Sequence, residues 1–376
     1  MAAGRPYRSL DIPLALLGVL GALFLILRPL PSVRSAAPGV PGVAAGGQGA
    51  AEDSLDAVRL MSRALDVLPE ARAEAGLPID KRTDINRTGL IGIEMSPTTT
   101  SLGHLEAKRT TANPAFAGAL VRMLREAGVD RGDAVAVGAS SSFPGLVIAT
   151  LCAAQAMGVR ALPIVSLGAS NWGANDPRWT GLDILEALNR AGVLDVPILA
   201  ASLGGEGDAG LDMAPEGRAL LRRRIGEWGG AFLPAEDLPA EVTERIRLFE
   251  AYAGGAPIKA FINVGGSWVD MGTDSSILKL RPGFNPASEV VLAPAGRRGL
   301  IQAWAARGVP VIHLLYVKGL CDRYGLPWDP MPFAPPAADA AEEGGKAAPT
   351  GRLHAALFAV LMAAGIVWIG IRRRLG

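Results

Sequence analysis

Three consecutive serines, Ser140-Ser141-Ser142, stand between Gly138 and the pair Pro144-Gly145. An apolar run, Ala134–Val137, precedes them, and an apolar stretch to Gly158 follows. The pattern predicts a strand ending at Gly138, a tight turn and a helix, the opening of a βαβ unit. Hydroxyls on such a turn suit two kinds of chemistry. One is nucleophilic attack: the turn has the position of a nucleophile elbow, although the second glycine of G-x-S-x-G is missing. His104 would be the base, from a threonine-rich segment that also carries Glu106 and Lys108, whereas His313 lies inside an apolar run. No spacing signature joins Ser140, Ser141 or Ser142 to His104. The other is anion binding, because free backbone N–H groups and hydroxyls at a helix N-terminus favour a carboxylate or phosphate.

Further polar residues cluster in the segments that follow or precede apolar runs. Thr99, Thr100, Glu106, Lys108 and Arg109 come first, with Lys108 and Arg109 able to donate to an acidic ligand. Ser166, Ser170, Asn171, Trp172, Asn175 and Asp176 follow the run that ends at Val165. Asn263, Gly265, Gly266 and Ser267 follow the run that ends at Ile262. Asp176, Asp208, Asp212, Asp270 and Asp274 lack the spacing of a cation loop, and the two histidines outside the terminal apolar runs, without a cysteine pair, do not make a zinc site. No metal site is expected. Neither G-x-x-x-x-G-K-[ST] nor G-x-G-x-x-G after a strand is present, so no nucleotide cofactor is expected. With 37 basic and 36 acidic residues the chain has no polybasic character, which excludes a nucleic-acid partner.

The elements that must position these residues alternate. Strand-like runs at Ala134–Val137, Ala161–Val165, Val196–Ala200, Ile258–Val264 and Pro310–Leu315 enclose helical stretches. The fold class expected is α/β, a parallel doubly wound, Rossmann-like sheet with helices on both faces. Ligands of such sheets bind beyond the carboxyl ends of the strands, where the polar segments fall. A helix from Ser54 to Ala75 is expected to be broken or kinked at Pro69, and Asn113 is expected to cap the helix Ala115–Ala127.

Two runs flank this domain. Ile12–Leu27 is uncharged over 16 residues, and Leu353–Ile371 runs for 19 residues with Arg372-Arg373-Arg374 behind it. A spanning helix needs roughly 17–25 apolar residues. The expected layout is an N-terminal transmembrane helix or signal anchor (1–28), a flexible linker (29–53), an extracytoplasmic α/β domain (54–330), a Pro/Ala/Gly-rich linker (331–350) and a C-terminal transmembrane helix (351–376). Arg5, Arg8 and the arginine triplet favour both termini in the cytoplasm, hence a cytoplasmic-membrane protein. A cleaved signal peptide is the alternative for the first run. Cys152, inside an apolar helix, is expected to be a buried free thiol.

The runs GIEMSPTTTSLGHLEAKRTTANPAF, VAVGASSSFPGL and SLGASNWGANDPRWTGLDIL resemble those of the poly-gamma-glutamate system proteins. These are membrane-anchored bacterial proteins associated with poly-gamma-glutamate synthesis and export. The resemblance covers about Gly89 to Ser276 and the terminal runs. It implies a process and carries over no catalytic residue. The partners it implies are the membrane-bound synthase and export components, with the polymer or another anionic polymer and the lipid bilayer. Three readings remain open: an accessory protein that binds the polymer or the synthase, a Ser-dependent hydrolase or acyl-transferase acting on the polymer, and a scaffold with a vestigial cleft.

Overall fold

A computed structural model of the chain describes residues 48–334. The two expected membrane spans, and the linker residues next to them, lie outside the described residues. Among the described residues no helix is long and apolar enough to cross a membrane.

The first element is helix α1, Gln48–Glu74, which begins six residues inside the expected linker and continues through Pro69. It buries Ala57, Met61, Ala64 and Leu68 at helical spacing. Two helices follow: α2, Leu105–Thr111, and α3, Ala115–Glu126. The α3 N-terminus is satisfied by Asn113, whose Oδ1 accepts from the Ala115 amide at 3.0 Å. Then come β1 (Ala134–Ser140), α4 (Pro144–Met157), β2 (Arg160–Ser166), α5 (Gly181–Arg190) and β3 (Ala200–Ser202). Helices α6 (Pro215–Trp228) and α7 (Leu238–Ala253) lead to β4 (Ile258–Val264) and the single turn α8 (Trp268–Met271). A short β5 (Gly283–Asn285), α9 (Leu300–Ala305), β6 (Val311–Leu314) and α10 (Val317–Tyr324) complete the order.

The six strands pair in the order β3-β2-β1-β4-β6-β5. All pairs are parallel except β5 with β6. The expected α/β class with a mostly parallel sheet is therefore found, here with six strands and an antiparallel edge strand that sequence periodicity does not reveal. The chain winds from β1 outward to β3, then crosses back to place β4 on the other side of β1. That reversal makes the carboxyl ends of β1 and β4 the switch point of the sheet.

Successive strand residues feed two cores, as the period of two demands. Val135, Val137 and Ala139 of β1 join α1, α3, α4 and α5 on one face. Ala134 and Ala136 join α7, α9 and Phe261 on the other. There Phe249 meets Phe261 edge-on at 6.5 Å and Trp304 at 6.4 Å, contacts that add about 0.5–1.5 kcal/mol each beyond the area they bury. Cys152 is buried and free in α4, and burial pushes its thiol up to about 12.

Candidate functional site

Strand β1 does not stop at Gly138. It runs to Ser140, pairing Ser140 with Ser166 of β2. The reason for glycine at 138 is packing: a Cβ there would lie 2.2 Å from Oδ2 of Asp270. The alternation of the strand carries into the turn and separates the three serines. Ser140 and Ser142 line a cleft outside the switch point, whereas Ser141 lies on the opposite side, against Pro144, Val147 and Gly181. The Ser141 hydroxyl is buried without a partner. Ser141 therefore does not belong to the cleft.

The cleft measures about 1010 Å³. Its polar wall comes from six places: Thr100, His104 and Lys108; Ser140 and Ser142; Ser166 and Ser170; Glu206 and Asp212; Gly266 and Ser267; and Lys318. Its apolar wall comes from Phe143, Trp268, Met271, Leu278, Leu315, Tyr316 and Trp328. Leu102 and Leu278 at its mouth are 85% and 77% exposed. The apolar wall carries no polar-residue signature, and its members come from segments far apart in sequence.

Lys108 is the centre of the polar wall. It sits on α2, a helix the threonine-rich sequence does not announce, and its side chain is buried. Its Nζ donates to the Ser142 carbonyl at 2.5 Å and to Ser170 Oγ at 2.7 Å, and lies 3.6 Å above the Phe143 ring. Among the described residues no carboxylate comes within ion-pair distance of it. Burial with no counter-charge lowers the ammonium from its ordinary 10.5 to about 7. The Ser142 hydroxyl accepts from the Ser170 amide at 3.0 Å, so the two serine segments and the lysine form one assembly.

The expected pairing of His104 with the serines is not formed. His104 precedes α2, is exposed at the cleft mouth and makes no hydrogen bond to Ser140, Ser141 or Ser142. The amine in hydrogen-bond contact with a cleft serine is Lys108 instead, four residues along the same segment.

Several other expected ligand residues hold the walls rather than face the cleft. Asn175 is fully buried, with Nδ2 donating to Ile93 O at 2.8 Å and Thr99 Oγ1 at 3.0 Å, while Oδ1 accepts from Ile93 N. Thr99 thereby ties the threonine-rich segment to the loop after β2. Asn171 accepts from the Gly103 amide, and Trp172 passes its carbonyl to Gly92 N. Asp176 binds the side chain of Arg178. Arg109 makes a two-point ion pair with Asp329, with Nε to Oδ1 at 2.7 Å, and so is spent within the fold. Glu106 is exposed on α2, outside the cleft. Asn263 lies in the sheet, donating to Gly265 O at 2.8 Å, with its Nδ2 2.9 Å from His313 Nδ1. Burial holds His313 down at about 4, so it is neutral at physiological pH.

A second polar cluster gathers Asp208 and Asp270, weighed above only as cation ligands, around an arginine that no sequence spacing announces. Arg245 of α7 donates to Asp208 Oδ2 at 2.6 Å, and Ser202 Oγ donates to Asp208 Oδ1 at 2.9 Å. Glu241 lies 3.6 Å from the same guanidinium. Asp270, packed over Gly138, completes a buried acidic group around one arginine. Burial pushes both Asp270 and Glu241 up to about 7. Among the described residues no group of acidic, histidine and cysteine side chains has the arrangement of a metal site.

Comparison of the chain with protein-family models, with curated proteins and with solved structures finds no match.

Proposed function

We propose that the chain is a membrane-anchored accessory protein of poly-gamma-glutamate synthesis or export, whose cleft binds carboxylate groups of the polymer outside the membrane. One observation carries the binding part of this reading. Lys108 is a buried ammonium in the wall of the cleft with hydroxyl and carbonyl neighbours and no carboxylate of its own. A buried cation without a counter-ion gains most from a ligand that supplies one. Serine hydroxyls at 140, 166 and 267 offer further donors, and the apolar wall suits the methylene groups between carboxylates. The family resemblance of the sequence motifs supplies the process and the synthase as a partner.

Trp268 and Trp328 line the cleft, so ligand entry can be followed by tryptophan fluorescence. Titration of the full-length chain with poly-gamma-glutamate should change that fluorescence, and a neutral polymer should not. Lys108→Met should weaken binding about tenfold or more, the range for losing a charged hydrogen bond. Affinity should fall as pH rises through about 7, because the ammonium is lost. A wild-type chain that does not bind the polymer at pH 6 overturns the reading.

A hydrolase or acyl-transferase acting on the same polymer is the second reading. The contact between Lys108 and a cleft serine favours it over the scaffold.

A further inference from the structure

We propose that Ser170 and Lys108 form a nucleophile–base pair for acyl transfer, with Ser170 Oγ as the nucleophile and Lys108 Nζ as the base. The proposal deepens the second reading above and rests on it only for the identity of the substrate.

The geometry meets the first requirement of such a pair, hydrogen-bond contact, at 2.7 Å between Nζ and Oγ. Both residues line the cleft wall. The base is oriented by a third group: the Ser142 carbonyl accepts from Nζ at 2.5 Å. The Phe143 ring covers the amine on another side and keeps water from it. The nucleophile is fixed too, since the Ser170 amide donates to Ser142 Oγ. A lysine serves as a base only when neutral, and desolvation without a counter-charge produces that state near neutral pH. The other ionisable groups around the cleft are His104 before α2, Glu206 and Asp212 after β3, and Lys318 on α10. None of them is paired with the amine.

The step balances as follows. Neutral Lys108 takes the Ser170 hydroxyl proton as Oγ bonds to the carbonyl carbon of an amide. The tetrahedral adduct collapses, the C–N bond breaks, and the departing nitrogen takes the proton from the Lys108 ammonium. An acyl ester on Ser170 remains. Water, or an acceptor amine, then attacks that ester while Lys108 takes its proton. The ester bond breaks, and the proton returns to Oγ. No oxidant, metal or cofactor enters the balance.

The test uses the full-length chain and a fluorophosphonate probe, which phosphonylates activated serines without needing the polymer. The probe should label the wild type, and peptide mapping should place the label on Ser170. The labelling rate should rise with pH through about 7. Lys108→Met should slow labelling about 100-fold or more, the usual contribution of a general base. Ser170→Ala should abolish it. Label on Ser140 or Ser142, or an unlabelled wild type, overturns the pair, and the wild-type result stands even if a variant does not fold. Polymer chain length is measured in parallel. Labelling at Ser170 with unchanged polymer supports the pair and rejects the polymer as its substrate. Shortening that persists in Ser170→Ala keeps the second reading and overturns the pair.

Discussion

Arg72, Lys108 and Arg245 are all buried, and each is held in a different way. Arg72 gives its donors to the carbonyls of Gly89 and Ile91, at 3.1 and 3.0 Å, and so ties α1 to the segment that begins the site. Arg245 faces carboxylates, Asp208 and Glu241. Lys108 has only neutral partners and lies at the cleft, which separates it from the two structural arginines. The difference predicts different responses to deletion. Arg245→Met leaves Asp208 beside Glu241 with no cation between them, and above pH 7, where Glu241 loses its proton, a buried charge robbed of its partner typically destabilises by about 3–5 kcal/mol. Urea unfolding of the variant should show a loss of that order. An unchanged midpoint would mean that the carboxylates are already neutral and that Arg245 balances nothing. Lys108→Met, by contrast, removes a desolvated charge with no opposite charge left behind, so its effect should fall on binding and labelling and much less on the unfolding midpoint.

Element placement decides where Lys108 points, and the decisive contact is between α2 and α4. Gly145, in the first turn of α4, lies so close to α2 that a Cβ would be 2.4 Å from the Thr111 carbonyl oxygen. Backbone cannot swing aside as a side chain can. Gly145→Ala should therefore push α2 away, lower stability by about 1–3 kcal/mol as overpacking does, and slow probe labelling by displacing Lys108. Stability and labelling that both match the wild type would show that α2 is free to move. At this scale the sequence was partly legible. The alternation of apolar runs and helical stretches located the parallel strands, and Ile258–Val264 was placed to the residue. Strand β3 differs from the apolar run Val196–Ala200 because only Ala200–Ser202 pair, the earlier residues of that run lying outside the sheet. Helix α2 is not legible in the sequence because Lys108-Arg109-Thr110-Thr111 has no apolar stripe: its buried face is made of Ala107, Lys108, Thr110 and Thr111. The cleft was foreseen at the strand ends, since ligand sites of doubly wound sheets follow from topology. The base was not, because polarity in the sequence does not say which lysine is desolvated.

Over the described residues as a whole, buried titratable groups set how stability follows pH. Asp270 and Glu241 are raised from 3.8 and 4.5 to about 7, in each case chiefly by burial. Burial raises Asp84 and Asp208 in the same direction. A carboxyl with a raised folded value holds its proton in the fold after the unfolded chain has lost it. Its stabilising contribution is complete below the ordinary carboxylate range and disappears as pH climbs through about 7. His313 acts oppositely: lowered from 6.5 to about 4 by burial, it contributes stability above 6.5 that is lost as pH falls toward 4. Exposed carboxylates held low by ion pairs, such as Asp80 and Glu244, act only below their ordinary values. Between pH 5 and 6.5 the fold therefore binds at least about one proton more than the unfolded chain, and stability should fall by about 1.4 kcal/mol per pH unit. Above pH 7 the sign reverses, because Lys108 is neutral in the fold while an unfolded lysine remains charged to about 10.5. Urea midpoints measured from pH 5 to pH 9 should thus pass through a minimum near 7. Asp270→Asn keeps the shape of the protonated carboxyl and removes one titrating group, so it should shallow the acid limb by about 1.4 kcal/mol per pH unit. A wild-type curve that climbs steadily from pH 5 to pH 7 would mean that Asp270 and Glu241 are ionised inside the fold, with Arg245 neutralising more than its nearest carboxylate.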